Sequence, residues 1–170
     1  MRTMMQLPLT ANILVIDDDP ILRKSIKDYF EDSGFTVIEA ENGQVGLEIF
    51  KNQKPDLIVT DLQMPVLGGL EVLSAVTKAS PETPIVVISE AGGLNDVIKA
   101  LRIGAWDYLT KPIVQIPVLE HAVCRALERS RLIEENRIYK RELELANQAL
   151  KKSLDILEED QEAGRSVQMK

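Results

Sequence analysis

The stretch Ile13-Leu14-Val15-Ile16-Asp17-Asp18-Asp19-Pro20 decides the fold. Four aliphatic residues in a row read as a strand buried on both faces, because a strand with one wet face would alternate. Three acids follow at once, and Asp19-Pro20 then opens a helix. Proline is tolerated in a first helical turn, and an aspartate just before it can cap the free N–H groups. Working outward, four more short apolar runs recur, Phe35 to Ile38, Leu57 to Thr60, Ile85 to Ile88 and Trp106 to Leu109. Between them apolar residues return at helical spacing: Ile21, Leu22, Ile26, Tyr29 and Phe30; Val45, Leu47, Ile49 and Phe50; Leu70, Leu73 and Val76; Leu94, Val97, Ile98 and Leu101. Gly34 and Gly104 fit helix stops, and Pro55 and Pro84 each precede a strand. Strict alternation of strand and helix predicts an α/β fold, a doubly wound five-stranded parallel sheet with helices on both faces. In such folds ligands gather at the carboxyl ends of the strands.

Those ends carry chemistry. The first strand ends in Asp17-Asp18-Asp19, the third in Asp61, the fourth in Ser89, and Lys111-Pro112 follows the fifth. Carboxylates held close together repel and raise one another's pKa unless a cation intervenes. An oxygen-only donor set without histidine or cysteine suits magnesium. A carboxylate flanked by magnesium and a lysine is well placed to attack a phosphoryl group.

In order, Ile13 to Pro20, Asp61-Leu62-Gln63-Met64-Pro65 with Gly68-Gly69, Val86 to Ser89, and Tyr108-Leu109-Thr110-Lys111-Pro112 resemble the receiver domain of bacterial two-component response regulators. The resemblance covers about residues 12–129 and implies a flavodoxin-like, CheY-like fold. It implies that Asp17 and Asp18 form the metal-binding acid pair, Asp18 the more direct ligand. Asp61 becomes the phosphate acceptor, and the Gln63 backbone carbonyl a further magnesium ligand. Lys111 becomes the phosphoryl-binding lysine, in a cis peptide bond to Pro112. It further implies a switch in which Ser89 moves toward the phosphate and Tyr108 turns inward, reshaping the face made by the fourth helix, fifth strand and fifth helix. Its partner is then a sensor histidine kinase or a phosphotransfer protein. Glu90 departs from the family pattern, where the residue after the serine is small; a carboxylate there should alter the lifetime of the phosphorylated state. Gly68 stands where an acid is common and implies only a looser loop.

Beyond Pro117 the pattern changes to a long charged helix without proline. Leu132, Tyr139, Leu143, Leu150, Leu154 and Leu157 recur at helical spacing. With Leu143, Leu150 and Leu157 at heptad position d, Asn147 and Leu154 fall at a, which favours a parallel dimeric coiled coil. Asn136 and Lys140 interrupt the seam upstream, where a break in the heptad would bring Tyr139 onto it. The chain is thus expected to comprise an N-terminal extension (1–11), the receiver (12–129), a coiled-coil linker (130–162) and the opening of a missing output domain (163–170). These last residues resemble the first helix of SpoIIE/RsbU-type phosphatases, an arrangement similar to RssB-type regulators.

Composition excludes other classes. Among 170 residues the net charge is −7 without a run of lysines and arginines, which argues against direct nucleic-acid binding. No apolar run approaches the roughly 20 residues that span a membrane, and Met1 to Thr10 is no secretion signal. A single cysteine, Cys124, forms no disulfide framework; with no signal, a cytoplasmic protein is expected. Three rivals share parts of the pattern. A haloacid dehalogenase-like phosphatase would use Asp17 and Asp19 as its acid pair, but Pro20-Ile21 replaces the expected Gly-Thr. A flavodoxin-like cofactor module needs a phosphate-cradling loop where the three acids stand. A vestigial receiver acting as a dimerising adaptor would not need its full set of acids, Ser89 and Lys111.

Overall fold

The computed structural model describes residues 10–91 and 93–168. Strands and helices alternate as β1 (Asn12–Ile16), α1 (Pro20–Asp32), β2 (Thr36–Ala40), α2 (Gly43–Gln53), β3 (Leu57–Asp61), α3 (Gly69–Ala79), β4 (Ile85–Ser89), α4 (Leu94–Ile103), β5 (Asp107–Thr110) and α5 (Ile116–Gln168). All strand pairs are parallel, in the order β2-β1-β3-β4-β5. The winding reverses beside β1, so the β1 and β3 tips flank the crevice where parallel sheets place ligands.

Each central strand splits its aliphatic residues between two cores, which is why its sequence is continuous rather than alternating. Ile13 and Val15 join Ile26 and Phe30 of α1 and Leu119, Val123 and Leu127 of α5. Leu14 and Ile16 face the other way, with Val72, Leu73 and Val76 of α3 and Ala100 of α4. Asp19 caps α1, accepting from the Ile21 and Leu22 amides at 2.9 and 3.3 Å, with Pro20 in the first turn. Gly104 ends α4 at φ +139°, a value open to glycine alone at little cost.

Three expectations about faces need correction. β5 is not buried on both sides: it lies at the sheet edge, and Tyr108 and Thr110 are exposed. Ile21, read as core, is 78% exposed, because the first turn of α1 starts beyond the strand tips. On α4 the buried residues are Val97 and Ala100, while Leu94, Ile98 and Leu101 face outward. A small residue, Ala100, lets α4 sit close to the sheet, and the larger aliphatics are left on the outside.

The extension expected over 1–11 lies outside the described residues apart from Thr10 and Ala11; Ala11 is buried in the core. Residues 169 and 170 of the last expected segment also lie outside them. The described residues divide into two units between Ser130 and Arg131. The second unit, taken by itself, is helix from Arg131 through Gln168, and its Tyr139, Leu143, Leu150, Leu154 and Leu157 are exposed. Ion pairs one turn apart, such as Arg137 with Glu134 at 3.0 Å, support it.

An acidic site at the strand tips

Register builds the site. Ile16 of β1 pairs with Thr60 of β3, so the next residues, Asp17 and Asp61, stand side by side. Ser89 of β4 pairs with Thr110 of β5, and the following Lys111 amide donates to the Ser89 carbonyl at 2.7 Å. The lysine therefore returns toward the acids. Its Nζ donates to Asp61 Oδ2 at 2.7 Å and lies 3.3 Å from Asp17 Oδ2. The Lys111–Pro112 peptide bond is cis. Carboxylate oxygens of Asp17, Asp18 and Asp61 all lie within 4.8 Å of one another. Asp17 and Asp61 are only 1% and 2% exposed, whereas Asp18 is open to solvent.

Backbone contacts fix these acids. The Asp19 amide donates to Asp17 Oδ1 at 2.8 Å, and the Gln63 amide donates to Asp61 Oδ1 at 3.1 Å. Gln63 itself is exposed. Gly69 starts α3 directly against Asp61; a Cβ there would strike the Asp61 carbonyl oxygen and Leu62 Cα. Arg23 Nη1 donates to the Asp17 carbonyl at 2.6 Å, while its Nε meets Glu39 Oε1 at 3.2 Å. The sequence reading passed over Arg23 and Glu39. A basic residue one turn into α1 was the only local signal, and its partner lies on the neighbouring strand.

The electrostatics are strained. Burial pushes the Asp17 carboxyl above its usual range, helped by the Asp61 charge; the Asp19 amide and Lys111 pull the other way without cancelling it. For Lys111, burial favours loss of the proton, but the hydrogen bond to Asp61 and the charges of Asp17 and Asp61 outweigh it, and its pKa rises. Asp17 Oδ2 has only the ion-pair contact with Lys111 and no hydrogen bond, and the buried Ser89 hydroxyl has no protein partner. Clustered carboxylate oxygens, one of them lacking a donor and with no nitrogen or sulfur among them, fit a hard divalent cation. Asp17, Asp18 and Asp61 are the side chains that could hold it.

Asp17, Asp18, Asp61 and Lys111 thus converge as the sequence indicates, and Ser89 sits at the end of the next strand, 2% exposed. Tyr108 is on the outer edge strand, 43% exposed, lining an open cavity of about 550 Å³ with Val114 and Val118. Asp19 spends its carboxylate on the α1 cap, so Asp17 and Asp19 do not form the acid pair of a dehalogenase-like phosphatase. Glu90 is exposed. Cys124 is half-buried against the core, and burial, with Glu120 nearby, pushes its thiol pKa up, away from reactivity.

Residues 13–123 match the family described as the response regulator receiver domain. The chain belongs to that family. It is similar to the chemotaxis protein CheY of Bacillus subtilis, 37% identical over 113 residues, 66% of this chain and 94% of that one. The Regulator of RpoS of Escherichia coli is 33% identical over 132 residues, 75% of this chain and 39% of that protein. The transcriptional regulatory protein GlrR of the same species is 32% identical over 71% of this chain. The chain spans only 27% of GlrR. Among solved structures, a response regulator receiver domain protein of Clostridium thermocellum superposes with a TM-score of 0.69 at 34% identity, over 72% of this chain and 98% of that one. The domain is therefore a two-component signalling module with the CheY-like fold. Among the described residues no helix is long and apolar enough to cross a membrane.

Proposed function

We propose that this receiver is a magnesium-dependent phosphoryl acceptor whose acceptor atom is a carboxylate oxygen of Asp61. The observation that carries the reading is the position of Asp61: buried, 2.7 Å from the Lys111 ammonium and within 4.8 Å of two further carboxylates. Asp17, Asp18, Asp61 and the Gln63 carbonyl would hold magnesium, which supplies charge neutralisation at the phosphoryl oxygens when bound. Asp61 attacks the phosphorus of a phosphohistidine or a small acyl phosphate. A P–O bond to Asp61 forms as the bond to the donor's nitrogen or oxygen breaks, and the leaving group departs with that electron pair. Lys111 steadies the incoming charge from the β5 side. The unpartnered Ser89 hydroxyl is free to donate to a phosphoryl oxygen, which draws β4 toward the site.

That movement gives the switch. Ser89 leaves space for Tyr108 to rotate inward from the edge strand, and the α4–β5–α5 face changes shape, a local charge event that biases a bistable packing. Exposed Leu94, Ile98 and Leu101 on α4 make that face apolar enough to bind an output partner. Donor docking falls elsewhere. Ile21 in the first turn of α1, Val66 in the loop after β3 and Val114 in the loop after β5 are 78%, 74% and 84% exposed and stand at the carboxyl edge, around the acids. Such a rim suits a sensor histidine kinase or phosphotransfer protein. The helix from Arg131 onward dimerises with a second copy through Leu143, Leu150, Leu154 and Leu157, with Asn147 setting register. The protein works in the cytoplasm and carries its message to an output domain or a target protein, as the likeness to the Regulator of RpoS suggests.

The test is incubation with magnesium and acetyl phosphate, followed by intact-mass measurement. One hydroxylamine-labile phosphoryl group should appear on the wild-type chain and none on Asp61→Asn. Equal labelling of the two sinks the reading.

A further inference from the structure

Arg23 holds the peptide that joins the two leading acids. Its guanidinium is largely enclosed, the side chain 16% exposed. Nη1 donates to the Asp17 carbonyl at 2.6 Å, and that carbonyl belongs to the Asp17–Asp18 peptide group. Nε meets Glu39 Oε1 at 3.2 Å, and the other Glu39 oxygen is held by Lys27 at 3.3 Å. Glu39 lies on β2, in register with Val15 of β1. One planar fork thus ties α1 to β2 and grips the chain just past the end of β1, where the Asp17 amide makes its own bond to the Ala40 carbonyl at 3.1 Å. A peptide plane held by a hydrogen bond to its oxygen places the two flanking Cα atoms and so narrows the directions in which their side chains leave the backbone. The side chains on either side are those of Asp17 and Asp18.

We infer that Arg23, anchored by Glu39, is a positioning residue that pre-sets the Asp17–Asp18 carboxylates for a divalent cation. The inference rests on the acceptor reading above. Its sign distinguishes it from plain electrostatics. Arg23 is a cation beside a cation site, so charge alone predicts that removing it tightens metal binding. Positioning predicts the reverse, because groups that orient ligands from behind typically contribute about 10–100-fold to metal affinity. Lysine at this position keeps the charge but lacks the fork that bridges carbonyl and carboxylate at once.

The experiment is calorimetric titration of magnesium chloride into the full chain as wild type, Arg23→Gln, Arg23→Lys, Glu39→Ala and Asp18→Asn. Amide exchange at Asp19, which donates to Asp17 Oδ1, is followed in parallel without metal. Wild type should bind, Asp18→Asn should lose most of its affinity, and Arg23→Gln should weaken by about 10–100-fold. Arg23→Lys should stay weak, Glu39→Ala should weaken in the same direction, and Asp19 should exchange faster in both Arg23 variants. Should Arg23→Gln bind as tightly as wild type or more tightly, or Arg23→Lys recover fully, the positioning role is overturned. Glu39 touches neither acid, so if Arg23→Gln fails to fold, unaltered affinity in Glu39→Ala overturns it instead. If wild type takes up no magnesium, the acceptor reading falls and this inference with it. If wild type binds and Asp18→Asn does not, only the Arg23 claim is at risk.

Discussion

Replacing Lys111 by methionine keeps the aliphatic stem and removes the charge that two buried carboxylates share. At an effective dielectric of 20, unit charges at the observed 2.7 and 3.3 Å attract by about 6 and about 5 kcal/mol. Two carboxylates within 4.8 Å repel by at least about 3.5 kcal/mol on the same scale. Burying the ammonium offsets several kcal/mol of the attraction, so the whole of it is not lost on mutation. The expected loss is about 3–5 kcal/mol, the range found when one partner of a buried pair is removed. Such a loss is a large share of the roughly 5–15 kcal/mol that keeps a domain folded. It also exceeds the ~0–1 kcal/mol of an exposed pair, and exposure decides between the two: the Lys111 side chain is 13% exposed and those of Asp17 and Asp61 only 1% and 3%.

The assay is urea unfolding in a chelator at neutral pH, followed by the fluorescence of Trp106, the only tryptophan. Wild type, Lys111→Met, Asp61→Asn and the double variant complete a cycle. The double variant should recover much of the loss, because the neutral amide no longer needs the lysine. Added magnesium should also rescue the single variant more than it helps wild type, since the cation replaces the missing charge. A loss below about 1 kcal/mol, or a double variant no more stable than Lys111→Met, refutes the reasoning.

Asp17 sets a pH dependence. Its folded pKa lies above the ordinary 3.8, so the folded state holds its proton more tightly than the unfolded one. The stability this group contributes is full below 3.8 and is lost as pH rises through the folded value, so in chelator Asp17→Asn should flatten that fall in urea titrations over the same window. Ser89→Ala should act in opposite directions on two readouts. Without metal the melting temperature should hold or rise, because a buried hydroxyl without a protein partner costs about 1–3 kcal/mol, while stabilisation by beryllofluoride and magnesium should shrink. Glu90→Ala should change the half-life of the phosphorylated chain, followed by loss of the phosphoryl mass. The proposed pairing of the helix from Arg131 onward predicts a wild-type dimer in sedimentation equilibrium that Leu150→Lys shifts toward monomer, with the far-UV spectrum of the receiver retained.

Much of this fold was legible because its decisive signals are local. A run such as Ile85-Val86-Val87-Ile88 reads as a strand buried on both faces or a buried helix, and its shortness and all-β-branched make-up favour the strand. The site was legible for a different reason. A parallel sheet sends every strand's carboxyl end to one edge, so the acids following β1 and β3 share that edge, and they meet because β1 and β3 are neighbours. What local pattern does not encode is the order of the strands. β5 was misjudged because its being an edge depends on where the chain stops adding strands. Leu94, Ile98 and Leu101 form as good an apolar stripe as any core helix, and only the packing of Ala100 shows that the other side of α4 faces the sheet. Arg23 and Glu39 are 16 residues apart and meet through the β1–β2 pairing, a contact that helical or strand periodicity cannot reveal.

The local faults of this fold cluster at its strand tips. Asp17 is buried with a raised pKa and an oxygen that accepts no hydrogen bond, Ser89 is buried without a partner, and Lys111 is divided between two carboxylates. Elsewhere the same strands are packed without such defects, so the faults are confined to the crevice rather than spread through the core. A group that satisfies them stabilises the folded state by whatever the defects cost, and its binding is coupled to how β4 and β5 sit at that edge. A ligand can shift a conformational equilibrium only through its differential affinity for the two states. On the proposed phosphorylation of Asp61, the differential has a structural source: the Ser89 hydroxyl donates to the new acceptor, and Ser89 is joined in register to Thr110 of the edge strand that carries Tyr108 and through its carbonyl to Lys111 just beyond it. A site already satisfied in the resting state would give a ligand no such difference between the two packings, and would have nothing to transmit.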